Sequence, residues 1–244
     1  MDDKQRVYRA NYSNAAPENP GLQKKLNQFL LKWWPSAVQP ELRFLKSLPK
    51  DSKIVELGCG DGEFLQALKI QGFQNLQGVE MVLRPNTPKN LNVIQEDLLQ
   101  YLPKLLNQSV DVIVLLDVLE HFSRNEASRI LVLIKDKLKV GGRLVLRVPN
   151  MMSPTGQFYQ FSDVTHEAAY TEVSLAQILV AQGFGKVVVR GSEKWLKYWI
   201  DPRRWPGFVV YVVWLLLRSC LSVASGGPKV LTGNLAALGI KLSI

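Results

Sequence analysis

The feature that most restricts what this chain can fold into is the segment VELGCGDGEFL at residues 55–65, where Gly58, Gly60 and Gly62 punctuate the passage from an apolar run to a helix-like one. Glycine adopts left-handed backbone angles that a Cβ disfavours, so three in five residues allow a sharp turn and a close approach of backbone to a ligand. The run before the turn, 53–57 (KIVEL), reads as a strand. The run after it, 63–70, places Phe64, Leu65 and Leu68 at helical spacing. Strand, glycine turn and helix N-terminus together present unpaired N–H groups to whatever binds. A dinucleotide turn of the G-x-G-x-x-G form requires glycine where this chain has Glu63, and no GK[ST] is present, so NAD, FAD and a P-loop are all disfavoured. Glu56 instead sets a carboxylate at the strand end, which suits a cationic amino acid moiety.

Between residues 51 and 150 short β-branched runs alternate with helix-like stretches, the pattern of parallel α/β proteins. Further strands are expected at 76–80 (LQGVE), 92–95, 110–116 (VDVIVLL) and 143–148 (RLVLRV), near-continuous apolar runs that indicate burial on both faces. Ser123 with Glu126 forms a capping box for a helix through Leu138, with Gly141-Gly142 after its end. Thr171 caps a second helix, with Ser174 to Gln182 stopped by Gly183. A sixth strand follows at 186–190 (KVVVR), and a seventh lies within 229–242. About forty residues separate these two, far more than a hairpin needs, and they include four Trp and the apolar run 208–217. The organisation expected is a tail and helical cap at 1–50, broken at Pro35 and Pro40; a core at 51–193; a hydrophobic helical insertion at 194–229; and a last core strand at 230–244.

Charge is unevenly placed along the chain. Of 30 basic and 21 acidic side chains, residues 1–50 carry nine and four, residues 51–150 twelve of each, and residues 186–244 nine and two. Positive charge at both ends suits a polyanion or an anionic membrane surface, but no Lys/Arg run exceeds two, which argues against nucleic acid as partner. Cys59 and Cys220 stand alone, without a CxxC or a Cys/His cluster; no metal, disulfide or cysteine chemistry is expected. The N-terminus lacks a signal-peptide apolar region, so the expected location is the cytoplasm, at the inner face of the membrane if the insertion docks there.

The acidic residue followed by G-x-G-x-G resembles the first motif of the class I S-adenosylmethionine-dependent methyltransferases, and the resemblance runs over roughly residues 51–190. It implies a Rossmann-like, seven-stranded, mainly parallel sheet with an antiparallel last strand, with S-adenosyl-L-methionine as cofactor and S-adenosyl-L-homocysteine as product. Position by position, Glu56 matches the motif acid near the methionine part, and Gly58, Cys59, Gly60 and Gly62 match the turn. Glu80, with Met81 beside it, matches the acid that takes both ribose hydroxyls. Asp97 and the Leu98 backbone match the readers of the adenine amino group. Asp117, in DVLEH at 117–121, matches the place where cofactor meets acceptor. These acids follow the first four strands, at the carboxyl ends where open α/β sheets bind ligands.

The acceptor is read from the two histidines and their surroundings. His166 and His121 are candidate bases, with Asp163 three residues before His166 able to orient its ring. The segment DVTHEAAYTEVSLAQILVAQGF is similar to methyltransferases of bacterial surface-polysaccharide and glycolipid assembly. That likeness implies a sugar-like, lipid-linked acceptor met by Tyr159, Gln160, Asp163, Thr165 and Tyr170. Quinone-like or other small acceptors, and a non-catalytic S-adenosylmethionine-binding partner protein, are the rival readings. In the insertion, Arg218 interrupts the apolar run, and Trp and basic flanks favour an interfacial helix over a span; packing on the sheet or in a dimer remains the rival.

Overall fold

A computed structural model describes residues 39–83, 87–153, 155–192, 230 and 232–243, together with isolated helical positions at 7, 209, 212, 213 and 216. Most of the expected helical cap and of the 194–229 insertion lies outside the described residues.

A single seven-stranded sheet has the order β3-β2-β1-β4-β5-β7-β6. Its strands are β1 (Ile54–Leu57), β2 (Leu76–Glu80), β3 (Val93–Gln95), β4 (Val110–Leu116), β5 (Leu138–Pro149), β6 (Phe184–Ser192) and β7 (Asn234–Lys241). The first five pair in parallel, whereas β7 slots antiparallel between β5 and β6. The order reverses between β1 and β4, which opens a crevice at the carboxyl ends of those strands. The fold is therefore the Rossmann-like α/β sheet with an antiparallel last strand that the sequence implies.

Alternation along the strands divides the core between two faces. Val55, Leu57, Ile113, Leu115, Leu144 and Leu146 belong to one cluster, with Ile130, Leu131 and Ile134 of the helix Arg124–Lys137 and Leu175 and Leu179 of the helix Glu172–Ala181. Ile54, Val112, Val114 and Val145 belong to the other, with Phe64 and Leu68 of the helix Glu63–Ile70 and with Leu42 and Phe44 of the 3-10 turn Pro40–Phe44. Period-two alternation puts Glu56 on this second face, between two strands that supply only apolar neighbours.

In chain order the helices are α1 (Glu63–Ile70), α2 (Leu98–Lys104), α3 (Arg124–Lys137), α4 (Gly156–Ser162) and α5 (Glu172–Ala181). Both expected capping boxes form, Ser123 with Glu126 on α3 and Thr171 with Ser174 on α5. Two details differ from the sequence reading. Gly141-Gly142 does not follow α3 as a free stop: β5 starts at Leu138, and the two glycines lie in a register shift between Val110 and Val112 of β4, with Gly141 at φ +78°. Between β5 and α5, where the sequence reading places no element, the chain forms the short helix α4, over a Gly156 whose Cβ would stand 2.5 Å from the Asn150 carbonyl oxygen.

Candidate active site

The turn after β1 is built as its glycines require. Gly58, Gly60 and Gly62 have φ of +70°, +52° and +74°, and Gly62 is the N-cap of α1. A Cβ on Gly58 would meet Val118 Cγ2 at 2.5 Å, whereas one on Gly60 would have no heavy atom within 4 Å, so the backbone there is open to a ligand. Glu80 ends β2 and fastens the turn from the neighbouring strand: its Oε2 accepts from the Gly60 N–H at 2.7 Å. Cys59 is buried behind the turn; burial, then the Glu56 and Glu80 carboxylates, push its thiol up, which keeps it protonated and inert.

An open cleft lies beside this turn. Of the residues expected to bind cofactor, Gly58, Glu80, Met81, Asp97, Leu98 and Asp117 line it, joined by His121. Asp97 also caps α2, its Oδ1 accepting from the Leu99 N–H at 2.8 Å, so the cap and the cleft wall are one residue. Glu56, Cys59, Gly60 and Gly62 are not part of the wall. Glu56 is 3% exposed, accepts from the Leu65 backbone and leaves Oε2 without a hydrogen-bond partner. Burial holds its carboxyl well above the usual range, and the opposing charge of Arg147 does not reverse this. It braces the start of α1 from below the turn.

Asp117 lines the cleft, but its carboxylate is turned aside. At φ +58° it ends β4 in a strained conformation, and Arg147 on β5 grips it with Nε to Oδ1 at 2.9 Å and Nη2 to Oδ2 at 2.6 Å. Arg147 Nη1 also faces the buried Glu41 Oε2 at 3.6 Å, which ties the segment before β1 to the floor of the site.

Where His121 and Thr165 line the cleft, two segments about 45 residues apart in sequence meet. The Glu120 carbonyl accepts from the N–H groups of Glu167 and Ala168 at 2.8 and 3.0 Å, which lays the 163–168 loop against the 3-10 turn Leu119–His121. His121 and His166 then meet edge to face, their ring centroids 4.7 Å apart. Thr165 donates its hydroxyl proton to Asp163 Oδ1 at 2.6 Å, so the Thr165 oxygen accepts from His121 Nδ1 at 2.8 Å. Asp163 thus orients His121 through Thr165. His166 Nδ1 lies 3.0 Å from the Tyr159 carbonyl, which can only accept, so the ring donates there. In the neutral rings both donations leave Nε2 with its lone pair.

Glu120 lies within the DVLEH segment, whose local pattern gives it no role of its own. It is 1% exposed, and neither carboxylate oxygen has a hydrogen-bond partner. Burial and then the charge of Asp117 hold its carboxyl well above the usual range. Tyr170, expected on the acceptor side, is buried with an unpartnered hydroxyl pushed up to about 12 by burial and Glu120. Gln160 is likewise buried with its Oε1 unpartnered.

Comparison with known proteins agrees with this geometry. The methyltransferase domain family matches residues 32–189. The chain belongs to that family. The fold is similar to an S-adenosylmethionine-dependent methyltransferase from Archaeoglobus fulgidus, at 20% identity over 98% of this chain and 100% of that one, with a TM-score of 0.64. A phosphoethanolamine N-methyltransferase 2 from Haemonchus contortus, in complex with phosphomonomethylethanolamine and S-adenosylhomocysteine, matches at 11% identity, over 100% of this chain and 61% of that one, with a TM-score of 0.62. A 1,6-didemethyltoxoflavin-N1-methyltransferase from Burkholderia thailandensis matches at 15% identity over 94% of each chain, with a TM-score of 0.54. No functionally curated protein matches the sequence.

The methyltransferase is of class I and its methyl donor is S-adenosyl-L-methionine. The residues present fit that donor. The open backbone at Gly60 beside the cleft, and within it the buried Glu80 carboxylate at the end of β2 and the apolar surfaces of Met81, Leu98, Leu99 and Phe122, have the chemistry that an amino acid part, a ribose and an adenine need. When bound, the donor supplies an activated sulfonium methyl; the protein's part is alignment and exclusion of water.

Proposed function

We propose that this methyltransferase transfers the methyl group to a hydroxyl of a sugar or other small hydroxylated acceptor, lipid-linked and met at a membrane surface. Glu80 takes the ribose hydroxyls, Asp97 and Leu98 the adenine, and the glycine turn with Glu56 beneath it the methionine part. The observation that carries the hydroxyl assignment is the imidazole pair at the acceptor end, with His121 held by the Asp163–Thr165 relay and His166 by the Tyr159 carbonyl. A hydroxyl must lose its proton as it is methylated, and imidazoles with an oriented lone pair suit that task. Methylation of amines that are already neutral makes no such demand.

The test is turnover with saturating acceptor, found by mass spectrometry of glycans and lipid-linked intermediates from cells with and without the gene. His166→Ala is expected to lower kcat by about 100-fold or more, as removal of a positioned base does; near-normal turnover removes His166 from the chemistry. A quinone-type acceptor shows as a methylated aromatic in place of the glycan, and a non-catalytic partner protein as cofactor binding with no methylated product.

The membrane part of the proposal rests on the 194–229 insertion. Its described positions Val209, Val212, Val213 and Leu216 are helical, apolar and exposed, at the spacing of one helix face. Among the described residues no helix is long and apolar enough to cross a membrane. An apolar face flanked by Arg203, Arg204, Trp205 and Arg218 suits docking on an anionic surface.

A further inference from the structure

We propose that Glu120, His121 and His166 bind one divalent transition-metal cation, of the zinc or manganese kind, with open coordination positions that receive the acceptor's hydroxyl oxygen. The proposal rests on the hydroxyl-acceptor reading above and assigns the group that activates that hydroxyl.

The three side chains offer one carboxylate oxygen and two imidazole nitrogens within 4.8 Å of one another. Around a cation with bonds of roughly 2.1 Å the ligand atoms stand about 3–4 Å apart, so small side-chain rotations close the site. Glu120 is the member that ordinary packing does not explain. A carboxylate with both oxygens buried and unpartnered is costly, and a cation is the partner that removes the cost. The histidines are prepared in the manner of metal ligands: each gives its Nδ1 hydrogen to a fixed acceptor, the Thr165–Asp163 relay for one and the Tyr159 carbonyl for the other. Such outer partners fix the tautomer and aim the remaining nitrogen. The backbone bonds from Glu167 and Ala168 to the Glu120 carbonyl hold the two ligand-bearing segments in register.

Two nitrogens and one oxygen favour borderline transition metals over magnesium or calcium, which prefer all-oxygen sites. Three protein ligands leave positions open on the side where His121 lines the cleft. A hydroxyl ligated there is acidified, as water is on a bound cation. Its O–H bond breaks with the proton passing to bulk water, the oxygen lone pair forms the new C–O bond with the sulfonium methyl, and the C–S electron pair stays on sulfur in S-adenosyl-L-homocysteine. No oxidant or reductant is needed. On this account the imidazoles serve the hydroxyl through the cation.

The test uses untagged, chelator-treated full-length protein without cofactor, titrated with Co²⁺ and Zn²⁺ and followed by visible absorption and calorimetry. One cation per chain is expected, with Zn²⁺ displacing Co²⁺. Glu120→Gln, which removes a ligand charge with little change of shape, and His166→Ala are each expected to weaken binding by about 10-fold or more. Far-UV circular dichroism and Tm without metal report whether each variant is folded. Absence of Co²⁺ and Zn²⁺ binding to folded wild-type protein overturns the proposal, as does binding that folded Glu120→Gln leaves unchanged. If Mg²⁺ or Ca²⁺ binds as tightly as Zn²⁺, the ligand assignment is wrong. Failure of the cation alone is recognisable: S-adenosyl-L-homocysteine still binds, and hydroxyl methylation proceeds in the presence of chelator.

Discussion

Glu80 and Glu56 are both acids at the ends of adjacent strands, and the structure gives them different work. Glu80 lines the cleft while holding the Gly60 amide, so Glu80→Ala removes a charged acceptor from the ligand and from the turn at once. The expected loss in affinity for S-adenosyl-L-homocysteine is about 10- to 100-fold by calorimetry, with a smaller effect on stability. Glu56 lies under the turn, and burial holds its carboxyl above the usual range. The folded chain keeps a proton that the unfolded chain releases above about pH 4.5, so its contribution to stability is full below that pH and is lost as pH rises through the higher folded value. Glu56→Gln has no such loss. In ligand-free protein the Tm of the variant should gain on wild type as pH is raised from about 5 to about 9; parallel Tm profiles would show that Glu56 is ionised in the fold. At this scale the strand-end acids were legible because each follows an apolar run by a fixed step. Glu120 was not, because its meaning depends on His166 lying against His121, and no local pattern reports a contact across 45 residues.

The glycine turn shows how an element enforces a site. Gly58→Ala places a Cβ 2.5 Å from Val118 Cγ2 at φ +70°. The left-handed angle alone costs about 1 kcal/mol and β-branched Val118 has little rotamer freedom, so a destabilisation of about 2 kcal/mol is expected. Urea titration checks it: the midpoint should fall at constant slope, and an unchanged midpoint would mean the turn relaxes. The first four strands, β6 and the two capped helices α3 and α5 could be read from hydrophobic period and capping chemistry, which are local. The start of β5 could not, because Gly141-Gly142 carries the signature of a helix stop and only pairing with β4 turns it into a bulge. Helix α4 was hidden for a similar reason: its seven residues, GQFYQFS, have no strong helical pattern, and Phe158 and Phe161 are exposed.

For the whole molecule, the charge-neutral middle of the sequence and its basic ends match the proposed division between catalysis and membrane docking. Trp195, Trp199, Trp205 and Trp214 suit the headgroup region, and each base near an anionic surface adds on the order of 1 kcal/mol. Purified protein is expected to float with anionic liposomes at low salt, and substitution of Trp205 and Arg204 should reduce the floating fraction; protein that stays at the bottom of the gradient points to a packed or dimeric insertion. The switch in strand order between β1 and β4, with the glycine turn at its lip, makes the cleft the centre of the account. Its most direct test is calorimetric titration of the folded, full-length protein with S-adenosyl-L-homocysteine. The account predicts one site per chain with affinity that collapses in Glu80→Ala; no heat with folded wild-type protein at millimolar ligand would contradict it.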